Sequence, residues 1–134
     1  MARRLIIDTG ILMASERNRR QLADAIEDDD DVVIAAITVA ELRTGIELAT
    51  ETHRARRSEF LVRILETLPV EPYDLATAEA HGRLLAHVHR SGTQRGAHDL
   101  IIAATAAATK RIILTGDRNA RFGELPGIEC ITVT

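Results

Sequence analysis

The feature that most limits what this chain can fold into is a repeating order. A short unbroken apolar run is followed by a longer stretch with helical spacing, and then by another run. The runs are Leu5-Ile6-Ile7, Val32 to Ala36, Ile112-Ile113-Leu114 and Ile128 to Val133. Continuous apolar runs this short suit parallel strands covered on both faces. In the last run Ile131 and Val133 alternate with threonine, which suits an edge strand. Between the runs lie helical patterns over Arg17 to Asp28, Val39 to Ala49, His53 to Leu68, Leu75 to His89 and Asp99 to Ala108. Pro69 and Pro72 bracket Val70 and Glu71, so a short extended piece is expected there. Ser91-Gly92-Thr93 and Gly96 mark a loop. Strands alternating with helices predict an α/β fold with a mostly parallel sheet, right-handed crossovers and more helix than strand. A length of 134 residues fits one domain, 1–134.

In open α/β sheets, ligands bind beyond the carboxyl ends of the strands. The informative acids are therefore those that follow a strand or begin the next helix. Asp8 ends the first run. Glu41 falls in the first turn of the helix after the second. Asp99 opens the alanine-rich helix, and Asp117 follows Leu114-Thr115-Gly116. Far apart in sequence, these four are expected at one sheet edge. Two carboxylates about 5 Å apart repel by roughly 3 kcal/mol at an effective dielectric near 20. Four together need cations or raised pKa values. All-oxygen acidic clusters suit Mg²⁺ or Mn²⁺, and such a metal can activate water and neutralise charge on a phosphodiester.

Each acid also has a structural reading. Asp8 is a ready N-cap for Thr9 to Ala14. Thr38-Val39-Ala40-Glu41 reads as a capping box, with Thr38 as N-cap, and spacing alone favours that reading. Asp99 fits a helix cap. Gly116-Asp117-Arg118-Asn119 is turn chemistry. The case for a site rests on all four sharing one edge.

Composition narrows the partners. Aromatics make up 2%, so base stacking cannot be the main grip on a nucleic acid. The net charge of −3 argues against a protein that coats nucleic acid with a broad basic surface, but not against a nuclease whose acids bind metal. Cys130 is the single cysteine, which excludes an internal disulfide and fits a reducing, cytoplasmic setting. The stretch before Asp8 is too short for a signal peptide, and no apolar run is long enough to span a bilayer. The histidines lack metal spacing: His87 and His89 are two apart and His81 lies six before His87.

The motifs resemble those of PIN domains, and in particular of VapC-type toxins. Ile6-Ile7-Asp8-Thr9 resembles the family's opening. Ala36 to Gly45, around Glu41, resembles its second motif. Asp99 to Ala106 resembles the third, and Leu114 to Asp117 with Phe122 and Gly127 the fourth. The motifs occur in family order and span almost the whole chain. The resemblance implies a PIN-like fold, a central mostly parallel sheet of about five strands flanked by helices. It implies Mg²⁺- or Mn²⁺-dependent endoribonuclease activity as the toxin of a type II toxin–antitoxin pair, with Asp8, Glu41, Asp99 and Asp117 as catalytic and metal-site acids. It also implies a homodimer and inhibition by a VapB-type antitoxin. Thr9, Thr38 and Thr115 fall where the family places small hydroxyl residues beside the acids. Gly10 stands where Ser or Asn is common. No acid follows the fourth motif until Glu124, so Asn119 is the substitute outer ligand and a second metal is in doubt.

Arg43 and Arg95 are candidates for RNA contact, and His98 for a place at the site's mouth. Arg17, Arg19 and Arg20, with Arg54, Arg56, Arg57 and Arg63, either hold RNA phosphates or form solvated helix faces. The run Asp28 to Asp31 is expected to end a helix at the surface, where acids oppose the helix dipole and favour fraying. Leu48, Phe60 and Leu61 are candidates for a dimer or antitoxin surface. Two other readings compete: a non-catalytic PIN-like RNA-binding or interaction module, which loss of an acid would favour, and another Mg-dependent phosphoryl-transfer hydrolase. A phosphatase with a strand-ending nucleophilic Asp would need a second Asp where Gly10 stands. A receiver domain would need an acid pair at the first strand's end, where Asp8 is alone.

Overall fold

A computed structural model describes residues 2–133. The apolar runs form β1 (Arg4–Ile7), β2 (Asp31–Ala35), β4 (Ile112–Thr115) and β5 (Cys130–Thr132), and the proline-bracketed pair forms β3 (Val70–Glu71). They make one five-stranded sheet in the order β3-β2-β1-β4-β5, and every pairing is parallel. The chain steps outward from β1 through β2 to β3, then returns to the other side of β1 as β4. The strand order therefore reverses between β1 and β4, which is where a ligand crevice opens in such sheets.

Side-chain alternation along the strands sends residues to two cores. Ile6, Val33 and Ile113 pack on one side with Ala103, Ala104, Leu84 and Phe122. Ile7 and Ile34 pack on the other with Leu12, Leu42, Ile46 and Phe60. The helices over these faces are α1 (Thr9–Ala14), α2 (Arg19–Ala25), α3 (Ala36–Leu48), α4 (Glu51–Thr67), α5 (Leu75–Ser91) and α6 (Ala97–Thr109). Ala103, Ala104 and Ala106 of α6 are fully enclosed, because small side chains let its backbone lie close to the sheet and to α5. Gly92 ends α5 in the left-handed conformation (φ 68) that a Cβ would oppose. No helix among the described residues is long and apolar enough to cross a membrane.

Three expectations need correction. The helix after β2 begins at Ala36, not Val39, and its N-cap is Ala35. No polar side chain marks this start; the strand turns straight into the helix, with Ile37 packed on the core. Thr38 is therefore inside the helix and fully buried, so it caps nothing. The helix expected over Arg17 to Asp28 is only α2, ending at Ala25 with Ile26 extended. Asp30 is the reason the acidic run is ordered. Its carboxylate accepts from Arg3 at 2.6 and 3.0 Å and from the Glu27 amide at 2.8 Å. The Arg3 guanidinium lowers the Asp30 pKa to about 2. Finally, Phe60 and Leu61 are core residues, and of the three proposed surface residues only Leu48 is exposed, at 81%.

At the amino ends of the strands sits a cation that the sequence patterns did not reveal. Arg111 is buried, and its Nη1 donates to the Leu5 carbonyl at 3.3 Å, the Asp31 carbonyl at 3.0 Å and Asp31 Oδ1 at 2.8 Å. Its Nη2 lies 3.5 Å from Glu71. One guanidinium thus ties β1, β2 and β3 together from below.

Candidate active site

Asp8 stands where β1 gives way to α1. Its amide still donates to the Leu114 carbonyl at 2.9 Å, extending the ladder with β4 by one residue. Its extended backbone caps α1, with Oδ1 accepting from the Thr9 amide at 2.9 Å. Oδ2 accepts from the Thr115 hydroxyl at 2.8 Å. The cap and the site are thus the same residue, and each carboxylate oxygen keeps a further lone pair.

Glu41 comes from the second turn of α3, since that helix starts early. Its Oε1 accepts from the Thr9 hydroxyl at 2.8 Å. Thr9 Oγ1 also lies 2.9 Å from Thr38 Oγ1. Thr9 has one hydroxyl proton and gives it to Glu41, so Thr38 must donate to Thr9. The relay Thr38→Thr9→Glu41 replaces the capping box. It explains why the Thr-x-x-Glu spacing is present although no cap is made. His98 Nδ1 is 3.4 Å from Glu41 Oε2.

Asp99 lies in the first turn of α6, whose N-cap is Gly96. A Cβ at position 96 would stand 3.0 Å from Asp99 Oδ2. The glycine therefore leaves room for the carboxylate, a role visible in sequence only as a glycine where a polar cap would be usual. Asp117 follows β4. Its amide donates to Thr115 Oγ1 at 3.0 Å, and its Oδ1 accepts from the Asn119 amide at 2.8 Å. Thr115 is thus shared, donating to Asp8 while accepting from Asp117. Asn119 meets Asp117 through its backbone.

The electrostatics follow from the crowding. Burial pushes the Asp8 carboxyl above its ordinary value; the Thr115 and Thr9 hydrogen bonds oppose this, and the charges of Glu41 and Asp117 add to it. Asp99 is also pushed up, first by burial and then by Asp8, Asp117 and Glu41, with His98 acting the other way. The four acids therefore share one field. Among the described residues no Lys or Arg pairs with any of them. An all-oxygen donor set short of positive charge fits a hard divalent cation. Among the described residues, no three of these acids bring oxygens within 4.8 Å of one another. Among the described residues, the one trio of acids with oxygens within 4.8 Å of one another is Glu27, Asp29 and Asp30, where Arg3 already supplies a cation. A wider set suits an ion that keeps several waters and takes only some carboxylates directly.

The basic residues mostly serve structure. Arg43 lies 3.9 Å from Glu47 on the exposed side of α3. Arg54 donates to the Ala49 carbonyl and Arg57 to the Gly45 carbonyl. Arg56 faces Glu16 at 3.4 Å. Arg95 donates to the carbonyls of Ala120 and Arg121, both at 2.7 Å. Two grooves open on either side of Phe60. One, about 490 Å³, is edged by Arg17 and Arg57, and the other, about 380 Å³, by Arg19 and Arg63.

The chain matches the PIN domain over residues 5–127. It is 35% identical over 131 residues to "Ribonuclease VapC5" of Mycobacterium tuberculosis, covering 96% of this chain and 92% of that protein. Among solved structures it is similar to VapBC-5 of Mycobacterium tuberculosis, a member of the VapBC family of toxin-antitoxin systems. The TM-score there is 0.81 at 31% identity, covering 97% of this chain and 98% of that one. The fold is also that of VapBC2 from Rickettsia felis, with a TM-score of 0.86 at 18% identity, covering 96% and 98%.

Proposed function

This chain belongs to the PIN-domain family, and on that premise we propose that it is a metal-dependent endoribonuclease, the toxin of a type II toxin–antitoxin pair. Residues 1–134 act as one PIN-like domain. Asp8, Glu41, Asp99 and Asp117 hold Mg²⁺ or Mn²⁺, and RNA is the substrate. The observation that carries this reading is the buried Asp8 carboxylate at the point where strand order reverses, sharing its field with Glu41, Asp99 and Asp117 and with no basic side chain paired to it among the described residues. The relatives named as ribonucleases support RNA as the substrate.

A bound ion would neutralise charge on the scissile phosphate and make water a better nucleophile. The chain's own residues do the rest. Thr115 and the Thr9 amide favour ionised Asp8 and fix its orientation. Thr9, supplied by Thr38, fixes Glu41. The Asn119 amide turns Asp117. These are the hydrogen bonds that hold metal-binding carboxylates in place.

The partner is a VapB-type antitoxin, a reading supported by the toxin–antitoxin titles of the structural neighbours. The arginine-edged grooves beside Phe60 suit an apolar helix with acidic flanks. The exposed Leu48, Leu75 and Tyr73 leave apolar surface for a homodimer. We place the protein in the cytoplasm, where its lone Cys130 stays reduced. The test is cleavage of a structured RNA by the purified protein. Cleavage should need Mg²⁺ or Mn²⁺, stop with EDTA, and be absent from Asp8→Asn. Equal cleavage in EDTA would sink the reading.

A further inference from the structure

Asp99 and Asp117 come from different elements, and the segment between α5 and α6 touches both. The loop after β4 carries Asp117 and then two single 3-10 turns, Arg118–Ala120 and Phe122–Glu124. They meet at Arg121, a non-glycine residue in the left-handed region (φ 49). On its amino side this loop is pinned to β4 through the Asp117 amide and Thr115. Between its two turns the loop is held by Arg95, whose Nη1 donates to the Ala120 and Arg121 carbonyls at 2.7 Å each. These are short, charge-assisted bonds. The next residue, Gly96, lies against the Asp99 carboxylate, with Asp99 Oδ2 3.0 Å from where its Cβ would be.

We propose that Arg95 is a positioning residue that clamps the Asp117 loop to the start of α6 and so sets Asp117 relative to Asp99. The proposal rests on the reading of these acids as a metal site. It differs from the sequence expectation that Arg95 contacts RNA: both hydrogen bonds its guanidinium makes in this structure run from Nη1 to carbonyls of its own chain. Loss of the guanidinium would leave two carbonyls short of a donor, beside a backbone conformation that needs support.

The experiment uses the whole purified chain with Arg95→Met, which keeps length and removes the donors, and Arg95→Lys, which restores one charged donor. Two quantities are read: amide hydrogen exchange across residues 118–124, and Mn²⁺ affinity by calorimetry. Arg95→Met should speed exchange in that segment and not elsewhere, and should weaken Mn²⁺ binding by about 10- to 100-fold, as loss of an outer support does. Arg95→Lys should recover part of both, and the KM for RNA at saturating Mn²⁺ should stay unchanged. Unaltered exchange and Mn²⁺ affinity, with a raised KM for RNA, would overturn the clamp and make Arg95 an RNA contact. If the wild type takes up no Mn²⁺, the metal reading fails, and the exchange measurement alone upholds or overturns the clamp. Should Arg95→Met not fold, Arg95→Gln is read in the same two ways.

Discussion

Thr115 donates its hydroxyl to Asp8 across 2.8 Å, although 107 positions separate them in the chain. The same oxygen accepts the Asp117 amide at 3.0 Å. Thr115→Val keeps the shape and removes both bonds. It should destabilise the fold by about 1 kcal/mol and weaken Mn²⁺ binding by about 10- to 100-fold. The Thr115 bond opposes the upward push of burial on Asp8. Its loss lets that carboxyl rise further, so the acid limb of the RNA cleavage profile should move to higher pH. A cleavage profile that does not move would show that the Thr115 bond does not set the ionisation of Asp8 in the metal-loaded protein.

The Thr38→Thr9→Glu41 relay makes a second prediction. Thr9→Val removes the only hydroxyl that reaches Glu41 among the described residues. Mn²⁺ affinity should fall by about tenfold or more, and Thr9→Ser should restore it. Full affinity in Thr9→Val, measured by calorimetry, would mean that Glu41 orients itself.

The site also predicts an inverted pH dependence of stability without metal. Asp8 and Asp99 are both raised in the fold, so the folded state binds their protons more tightly than the unfolded chain does. Their contribution is fully present below the ordinary carboxylate pKa of about 4 and is lost as pH rises through the raised folded values. Thermal unfolding in EDTA should show this loss, and Mg²⁺ should remove it. Asp99→Asn should raise the metal-free Tm at pH 7 by roughly 2–4 °C; solvent reaches Asp99, which keeps the gain small. A lowered Tm would mean that Asp99 stabilises the first turn of α6 more than its neighbouring acids repel it.

Arg111 gives a prediction about stability alone. Arg111→Met abandons the Leu5 and Asp31 carbonyls and the Asp31 carboxylate. Because Asp31 is half exposed, water takes over part of the loss, and the fold should lose about 2 kcal/mol. Cleavage per folded molecule should be unchanged, since Arg111 lies at the strand ends opposite the acids. A selective loss of activity at unchanged Tm would contradict that placement.

Much of this was legible in the sequence, for physical reasons. The β-branched runs and the alanine-rich helix are strong patterns, and the alternation of strand with helix told that the crevice lies beyond the carboxyl ends of the strands. The motif resemblance pointed to the same acids. What stayed hidden was contact made at long range. Thr38 and Glu41 have the spacing of a capping box, and only the early start of α3 shows that the hydroxyl reaches Thr9 instead. Arg95 and Arg111 look like surface charges because their carbonyl partners lie 25 and 106 positions away. Phe60 and Leu61 looked like surplus apolar surface because helix periodicity does not say how much of the sheet α1 and α2 leave uncovered.

The central claim is that the four acids form one metal site for RNA cleavage. Glu41→Gln tests it most directly, because glutamine still accepts from Thr9 and only the charge is lost. Wild type and variant, matched for folding, are compared on one structured RNA with Mg²⁺, with Mn²⁺ and with EDTA. The wild type should cleave only with metal, and Glu41→Gln should cleave at a rate at least about 100-fold lower. A Glu41→Gln protein that cuts as fast as the wild type would contradict it.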